Sequence, residues 1–215
     1  MSGTITISAS YGTEGAVIGR QIAQLLGIEF FDRAIPVAVA QKLEVDPEEA
    51  IAKDWLAPGR MERVLAALAD TSIPFIGMDA NSAFFANPDA FRLATESVLR
   101  HIADEEGGVI LGRASSVVLE GRPDVLSVRL DGPVAARIYQ GAEAREIDQA
   151  AAKKEQQQVD EARESYMQTF YRRSQNDLRL YHLMLDSTAL SRQTCVDIII
   201  AAAHDRLGLN IDESL

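Results

Sequence analysis

Short apolar runs alternate with longer amphipathic ones along this chain. Residues 4–8, TITIS, form a β-branched run that is typical of a buried strand. Gly27 supplies a helix stop after a set of apolar positions that share one helical face. These positions are Val17, Ile18, Ile22, Leu25 and Leu26. The pattern therefore predicts a strand, a glycine-containing turn over residues 11–15, and a helix.

The same alternation continues to the end of the chain. Four further apolar runs predict strands, at residues 29–31, 108–111, 125–130 and 183–185. The intervening sequence predicts helix almost throughout residues 33–105 and over residues 134–180, and a last helix capped by Ser191 that ends near Leu207. Short apolar strands that alternate with helices favour a parallel sheet covered by helices on both faces.

Composition narrows the class of protein. The 215 residues suit a single domain, and the net charge of −11 disfavours nucleic acid as the main partner. No run of about 18 apolar residues and no signal peptide is present, so we expect no membrane partner. The single cysteine, Cys195, lies in an apolar helical stretch and is interpreted as a small buried hydrophobe in a reducing, cytoplasmic setting. The three histidines lack the spacing of metal ligands, so we expect no protein metal site.

The predicted turn can be compared with the phosphate-binding pattern G-x-x-x-x-G-K-[ST]. In the register that keeps the strand and helix in place, Ala9 and Glu14 stand at the two glycine positions. Gly15 stands at the lysine and Ala16 at the Ser/Thr position, so only the internal Gly12 fits. The turn still precedes a helix, whose free N–H groups and positive dipole end favour anions. A tight turn without a ligand is the alternative.

The whole chain nevertheless resembles the divergent branch of the cytidylate kinase-like family, which opens with a pattern like I-S-R-E-Y-G-S-G-G-R-x-I-G-R. Five segments, in the family's order, carry the resemblance. They are ISASYGTEGAVIGR at residues 7–20, LGIEFFD at residues 26–32, LGR at residues 111–113, Asp160 with Arg163 and Tyr166, and YHLMLDSTAL at residues 181–190. Basic residues of the branch are replaced by Ala9 and Ala16, and a glycine is replaced by Glu14.

The resemblance implies a three-layer α/β fold of the P-loop kinase type, with a short parallel sheet flanked by helices. Within one domain it implies a helical acceptor-side lobe over residues 33–105 and a helical lid over about residues 140–178. It also implies ATP as phosphoryl donor, Mg²⁺, and an acceptor such as CMP or dCMP. We expect a nucleotide or other small phosphorylated ligand as partner and leave a homodimer open.

The resemblance also implies roles for individual residues. Arg113 would hold a phosphate, although a structural ion pair is the alternative. Arg163 would stabilise the transferring phosphate, although a solvated helix face is the competing interpretation. Asp32 would align the acceptor or Mg²⁺, or else cap the next helix. The expected nucleotide-binding residues are Tyr11, Gly12, Thr13, Glu14, Gly15, Ala16 and Arg20.

Because the loop lysine is absent, we expect nucleotide binding with weak or altered phosphoryl transfer by a nucleoside monophosphate kinase-like enzyme. The alternative is a catalytically inactive nucleotide-binding or protein-interaction module on a kinase fold.

Overall fold

A computed structural model describes residues 3–32 and 88–211. Most of the predicted helical lobe, residues 33–87, lies outside the described residues. Within the described ranges, every helix is too short or too polar to cross a lipid bilayer.

Five strands of the described residues form one parallel sheet. They are β1 (Thr4–Ala9), β2 (Phe30–Phe31), β3 (Gly108–Leu111), β4 (Val125–Asp131) and β5 (Leu183–Asp186). Their order across the sheet is β2-β3-β1-β4-β5, and every neighbouring pair is parallel. All five predicted strands are therefore confirmed.

Helices connect the strands. They are α1 (Gly15–Leu26), α2 (Pro88–His101), α3 (Ser115–Val118), α4 (Val134–Arg145), α5 (Gln149–Tyr171) and α6 (Arg192–Leu207). A π-helical turn at Ile102–Glu106 continues α2, and a 3₁₀ turn at Leu178–Leu180 precedes β5. The predicted stops of α1 and α6 are confirmed, since Gly27 and Gly208 adopt the left-handed conformation beyond them.

The helical stretch predicted over residues 134–180 is mostly confirmed, but the structure divides it. Glu146 adopts a left-handed conformation with φ 55° and ends α4. Asp148 then caps α5 by accepting a hydrogen bond from the main-chain N–H of Ala151 at 2.8 Å. Arg172, with φ 52°, ends α5. The result is a hairpin of two helices, α4 and α5.

The core consists of two apolar clusters, one on each face of the sheet. Helices α1 and α6 cover one face and contribute Ile22 and Ile199 to its core, while α2 and α3 border the other. Neighbouring residues of β3 show the alternation, because Val109 belongs to the first cluster and Ile110 to the second. This three-layer arrangement confirms the predicted sheet flanked by helices.

The strand order determines where a ligand can bind. The chain leaves the carboxyl end of β1 toward β2 on one side of the sheet, and it leaves the adjacent β4 toward β5 on the other side. Ligands of open α/β sheets bind at the carboxyl ends of the strands near such a reversal. The fold therefore indicates a ligand-binding site at the turn after β1.

Candidate functional site

The turn after β1 is shaped by two residues with positive φ. Gly12 has φ 77° and Glu14 has φ 54°, a combination that curves the main chain before α1 begins at Gly15. A Cβ added to Gly12 would lie 2.0 Å from the carbonyl oxygen of Arg137. Only glycine fits there, because both the conformation and the close approach exclude a side chain.

The curved segment presents main-chain N–H groups without protein acceptors. Val17 and Ile18 donate their N–H groups to the carbonyl of Glu14, at 2.9 and 3.0 Å. Among the described residues, no acceptor meets the N–H groups of residues 12–16. These groups lie at the amino terminus of α1, where the helix dipole also favours negative charge. We refer to residues 10–16 as the phosphate-loop segment.

Asp160 of α5 anchors this segment to the helical hairpin. Its carboxylate accepts hydrogen bonds from the main-chain N–H of Tyr11 at 3.0 Å, from Gln156 at 2.8 Å and from Arg137 at 2.6 Å. Burial alone would raise the pKa of Asp160, but these hydrogen bonds and the Arg137 charge outweigh it and lower the pKa below its usual value. Arg137 also donates to the carbonyl of Tyr11 at 3.1 Å. The loop conformation therefore depends on α4 and α5.

The side chain of Tyr11 points into the hairpin. A Cβ on Gly141 would lie 2.4 Å from the Tyr11 ring, so the ring packs closely against α4. The Tyr11 hydroxyl donates to Glu155 at 2.9 Å, and Arg145 forms an ion pair with the same carboxylate at 2.8 Å. Burial and the hydrogen bond to Glu155 raise the pKa of Tyr11. Tyr11 thus fastens the loop, while its main chain borders the site.

Arg113 lies at the carboxyl end of β3 in an unusual backbone segment. Gly112, Arg113 and Ala114 have φ values of 73°, 63° and 53°, three consecutive left-handed residues. Such conformations are costly for residues other than glycine, and strained residues of this kind cluster at functional sites. Arg113 is 7% exposed, donates to the carbonyl of Asp32 at 3.1 Å and lies 3.7 Å from its carboxylate. Burial lowers the pKa of Arg113 to about 10, so it remains charged at neutral pH.

Arg163 approaches the same region from α5. It is half-buried, and its guanidinium donates to the carbonyl of Ala9 at the end of β1. Burial lowers the pKa of Arg163 to about 10, and the nearby Arg129 and Arg137 add to that effect while Asp160 opposes it. Binding of an anion would reduce the electrostatic repulsion among these neighbouring positive charges.

These elements enclose a pocket of about 390 Å³. It is lined by the phosphate-loop segment, by residues 111–116 after β3, and by the inner faces of α4 and α5. Its charged lining residues, within the described chain, are three arginines and one carboxylate: Arg113, Arg145, Arg163 and Glu14. The carboxylate of Glu14 forms a two-pronged ion pair with Arg192. The arrangement suits a phosphorylated ligand.

Comparison with known proteins agrees with this geometry. The model of the cytidylate kinase-like family matches residues 4–189. This chain belongs to the cytidylate kinase-like family. No curated protein matches it.

Solved structures similar to this family member confirm the P-loop kinase type of fold. An uncharacterized protein from Eubacterium ventriosum aligns with a TM-score of 0.68 at 16% identity, over 95% of this chain and 100% of that one. A gluconokinase from Sinorhizobium meliloti aligns with a TM-score of 0.50 at 12% identity, over 94% of this chain and 92% of that one. At such identities the likeness shows the fold alone.

The structure brings most of the predicted site residues together. Residues 11–16, Arg113 and Arg163 all line the pocket. Asp32 contacts Arg113 but does not line the pocket itself. Arg20 is exposed, lies outside the pocket lining, and places its guanidinium 5.2 Å from the centre of the Phe30 ring. This cation–π contact lies outside the pocket lining, so a role for Arg20 in nucleotide binding stays a prediction.

Sequence analysis missed a buried arginine that supports the site. Arg129 is 1% exposed and donates to Ser8 at 3.0 Å, to Ser10 at 2.7 Å and to Gln175 at 3.2 Å. It therefore joins β1, the phosphate-loop segment and the end of the hairpin. A charged residue within the apolar run VLSVRLD of β4 was the available signal, because such a charge is rarely buried without partners.

The same residues fit phosphate better than they fit a metal ion. Ala16 has no side-chain oxygen where the usual pattern has the hydroxyl of Ser or Thr, and the only pocket carboxylate among described residues, Glu14, is paired with Arg192. Residues 3–32 and 88–211 contain no group of three His, Cys, Asp or Glu that could hold a metal. Within these ranges, the side chains do not build a Mg²⁺ site.

Proposed function

We propose that the pocket binds the phosphate groups of a nucleotide and that the protein is a cytidylate kinase-like phosphotransferase. Its proposed reaction transfers a phosphoryl group from ATP to CMP, dCMP or a related small acceptor, with weak or altered activity. The observation that carries the proposal is the series of N–H groups at residues 12–16, which have no acceptor among the described residues and belong to a segment that lines the same pocket as Arg113 and Arg163. Membership of the cytidylate kinase-like family supports it.

The proposed roles follow from position and charge. The N–H groups of the phosphate-loop segment would hold the donor phosphates, and Arg113 would hold the phosphate of the acceptor. Arg163 would neutralise charge on the transferring group. Its helix, α5, forms with α4 the proposed lid that excludes water. Asp32, through its contact with Arg113, would align the acceptor. Phosphoryl transfer depends mainly on such positioning and charge neutralisation.

Weak activity is expected because the loop carries no lysine. A guanidinium on α5 that already donates to the Ala9 carbonyl replaces a loop cation only in part. Loss of one preorganised donor typically costs about 3–4 kcal/mol of transition-state stabilisation. The second candidate function is a nucleotide-binding module without catalysis, and Ala9, Glu14 and Ala16 at the key loop positions favour it.

Composition supports the remaining proposals about partners. The net charge of −11 favours a small phosphorylated ligand over nucleic acid. The single cysteine is free and buried, as suits a reducing cytoplasm.

A turnover assay with matched arginine variants tests the proposal. The purified protein is incubated with ATP, Mg²⁺ and a panel of nucleoside monophosphates, and product formation and ligand-dependent melting are both measured. We expect Arg113→Lys to lower kcat/KM by roughly tenfold and Arg113→Gln by more, because lysine keeps the charge but not the two-pronged geometry. The control is Arg122→Gln, which breaks ion pairs with Asp104 and Asp124 near the amino end of β4, outside the pocket lining.

The outcomes separate the two candidate functions. Turnover that falls in the Arg113 variants and persists in the control supports the enzyme. Melting shifts with nucleotides but without turnover support the binding module. No shift with any nucleotide contradicts both.

A further inference from the structure

Glu14 and Arg192 form an ion pair that ties the phosphate-loop segment to α6. Glu14 Oε1 lies 2.7 Å from Arg192 Nη2, and Oε2 lies 3.1 Å from Nε. Glu14 is the N-cap residue of α1, yet its side chain makes no capping hydrogen bond to that helix. Arg192 is the first residue of α6. The carboxylate therefore serves a distant helix rather than its own.

Each partner is poorly suited to its own local position. Glu14 adopts φ 54°, a conformation that favours glycine over residues with a Cβ. Arg192 places a positive charge in the first turn of α6, at the positive end of the helix dipole. Residues that break local preferences at the same contact usually serve a function there. Local stability alone therefore does not explain the ion pair between Glu14 and Arg192.

The position of Glu14 suggests that explanation. It is the only acidic residue among the described residues that line the pocket. A carboxylate at the amino terminus of α1 is attracted by the same N–H groups that would bind a phosphate. Released from Arg192, it would compete with the ligand for those groups and repel the ligand's charge.

We propose that Arg192 is a positioning residue that holds the Glu14 carboxylate away from the N–H groups of residues 12–16 and so keeps the loop able to bind an anion. This inference rests on the proposed function. A neighbouring hydrogen bond, from Ser187 Oγ to the carbonyl of Thr13 at 3.1 Å, fastens the same β5–α6 connection to the loop. This hydrogen bond would still hold the β5–α6 connection to the loop after the loss of Arg192. The Glu14 carboxylate is therefore the main group that would move.

Calorimetric titration with ATP tests the pair through a double-mutant cycle. We expect Arg192→Gln to weaken ATP binding by roughly tenfold, equivalent to about 1.4 kcal/mol. Repulsion between the freed Glu14 carboxylate and the phosphates of ATP accounts for a change of that size. Adding Glu14→Gln to Arg192→Gln should restore the affinity to within about threefold of wild type, because no carboxylate then competes.

The control is Arg122→Gln, which breaks a comparable two-pronged pair with Asp124 and should leave ATP affinity unchanged. Restored affinity in the double variant supports the proposal, because a purely structural ion pair would not be rescued by losing its second partner. Equal weakness of the single and double variants would overturn it. So would an unaffected Arg192→Gln variant of a protein that binds ATP, whereas no ATP binding by the wild type would overturn the proposed function as well.

Discussion

Replacing Gly12 by alanine tests whether the loop rests against α4 as the structure has it. The added Cβ would lie 2.0 Å from the carbonyl oxygen of Arg137, and ordinary contacts begin near 3.4 Å. The loop and the start of α4 must therefore separate by more than an ångström. That movement would disrupt two hydrogen bonds that join the loop to the helical hairpin: Arg137 of α4 to the carbonyl of Tyr11, at 3.1 Å, and the Tyr11 N–H to Asp160 of α5, at 3.0 Å.

The expected loss of stability combines two costs. Placing alanine at φ 77° costs about 1 kcal/mol. Each disrupted buried hydrogen bond costs roughly 1–3 kcal/mol. We therefore expect Gly12→Ala to lower the free energy of unfolding by about 3–7 kcal/mol, or the melting temperature by roughly 6–28 °C for a chain of this size. Urea unfolding followed by circular dichroism measures the change directly.

Gly121 provides a matched control within the same chain. Its φ is 78°, almost equal to that of Gly12, but nothing lies within 4 Å of an added Cβ. Gly121→Ala should therefore show only the conformational cost of about 1 kcal/mol. The difference between the two variants isolates the steric contact. Equal losses in both would refute the close approach of the loop to the Arg137 carbonyl.

Three further outcomes are expected. Asp160→Asn should lower the free energy of unfolding by about 1–3 kcal/mol in urea titrations, because it removes the closer of the two carboxylates that pair with the buried Arg137 and leaves only Asp131, at 3.3 Å; an unchanged free energy of unfolding would contradict that dependence. The lowered pKa of Asp160 means that its contribution to stability is complete above the unfolded value of 3.8. That contribution is lost as the pH falls through the lower folded value. Stability measured between neutral and acid pH should therefore decline less steeply in Asp160→Asn than in the wild type. Tyr11→Phe should cost about 1 kcal/mol through loss of the hydrogen bond to Glu155, and an unchanged melting temperature would argue against that bond.

The sequence alone determined which segments become strands and helices. Short β-branched runs and amphipathic runs differ in the spacing of their apolar residues. Burial against the sheet imposes that spacing within each segment. Signals such as Gly27, Ser191 and Gly208 act within one helical turn and could be located without the fold. The break between α4 and α5 was not predicted from the sequence, because Glu146 adopts a left-handed conformation that glutamate does not favour.

The resemblance to the cytidylate kinase-like family directed attention to Arg113 and Arg163 before any fold was known, and both line the pocket. Their surroundings could not be foreseen. The buried Arg129 has partners on β1 and beyond the hairpin, and no local pattern specifies such partners.

Only the tertiary structure decided how the loop is held. Tyr11 and Asp160 are 149 residues apart in sequence, and Glu14 and Arg192 are 178 apart. Their contacts exist because the order of strands in the sheet brings α5 and α6 to the carboxyl end of β1. Hydrogen bonds between distant residues depend on that geometry and leave no periodic pattern in the chain, whereas the helices and strands that they join do.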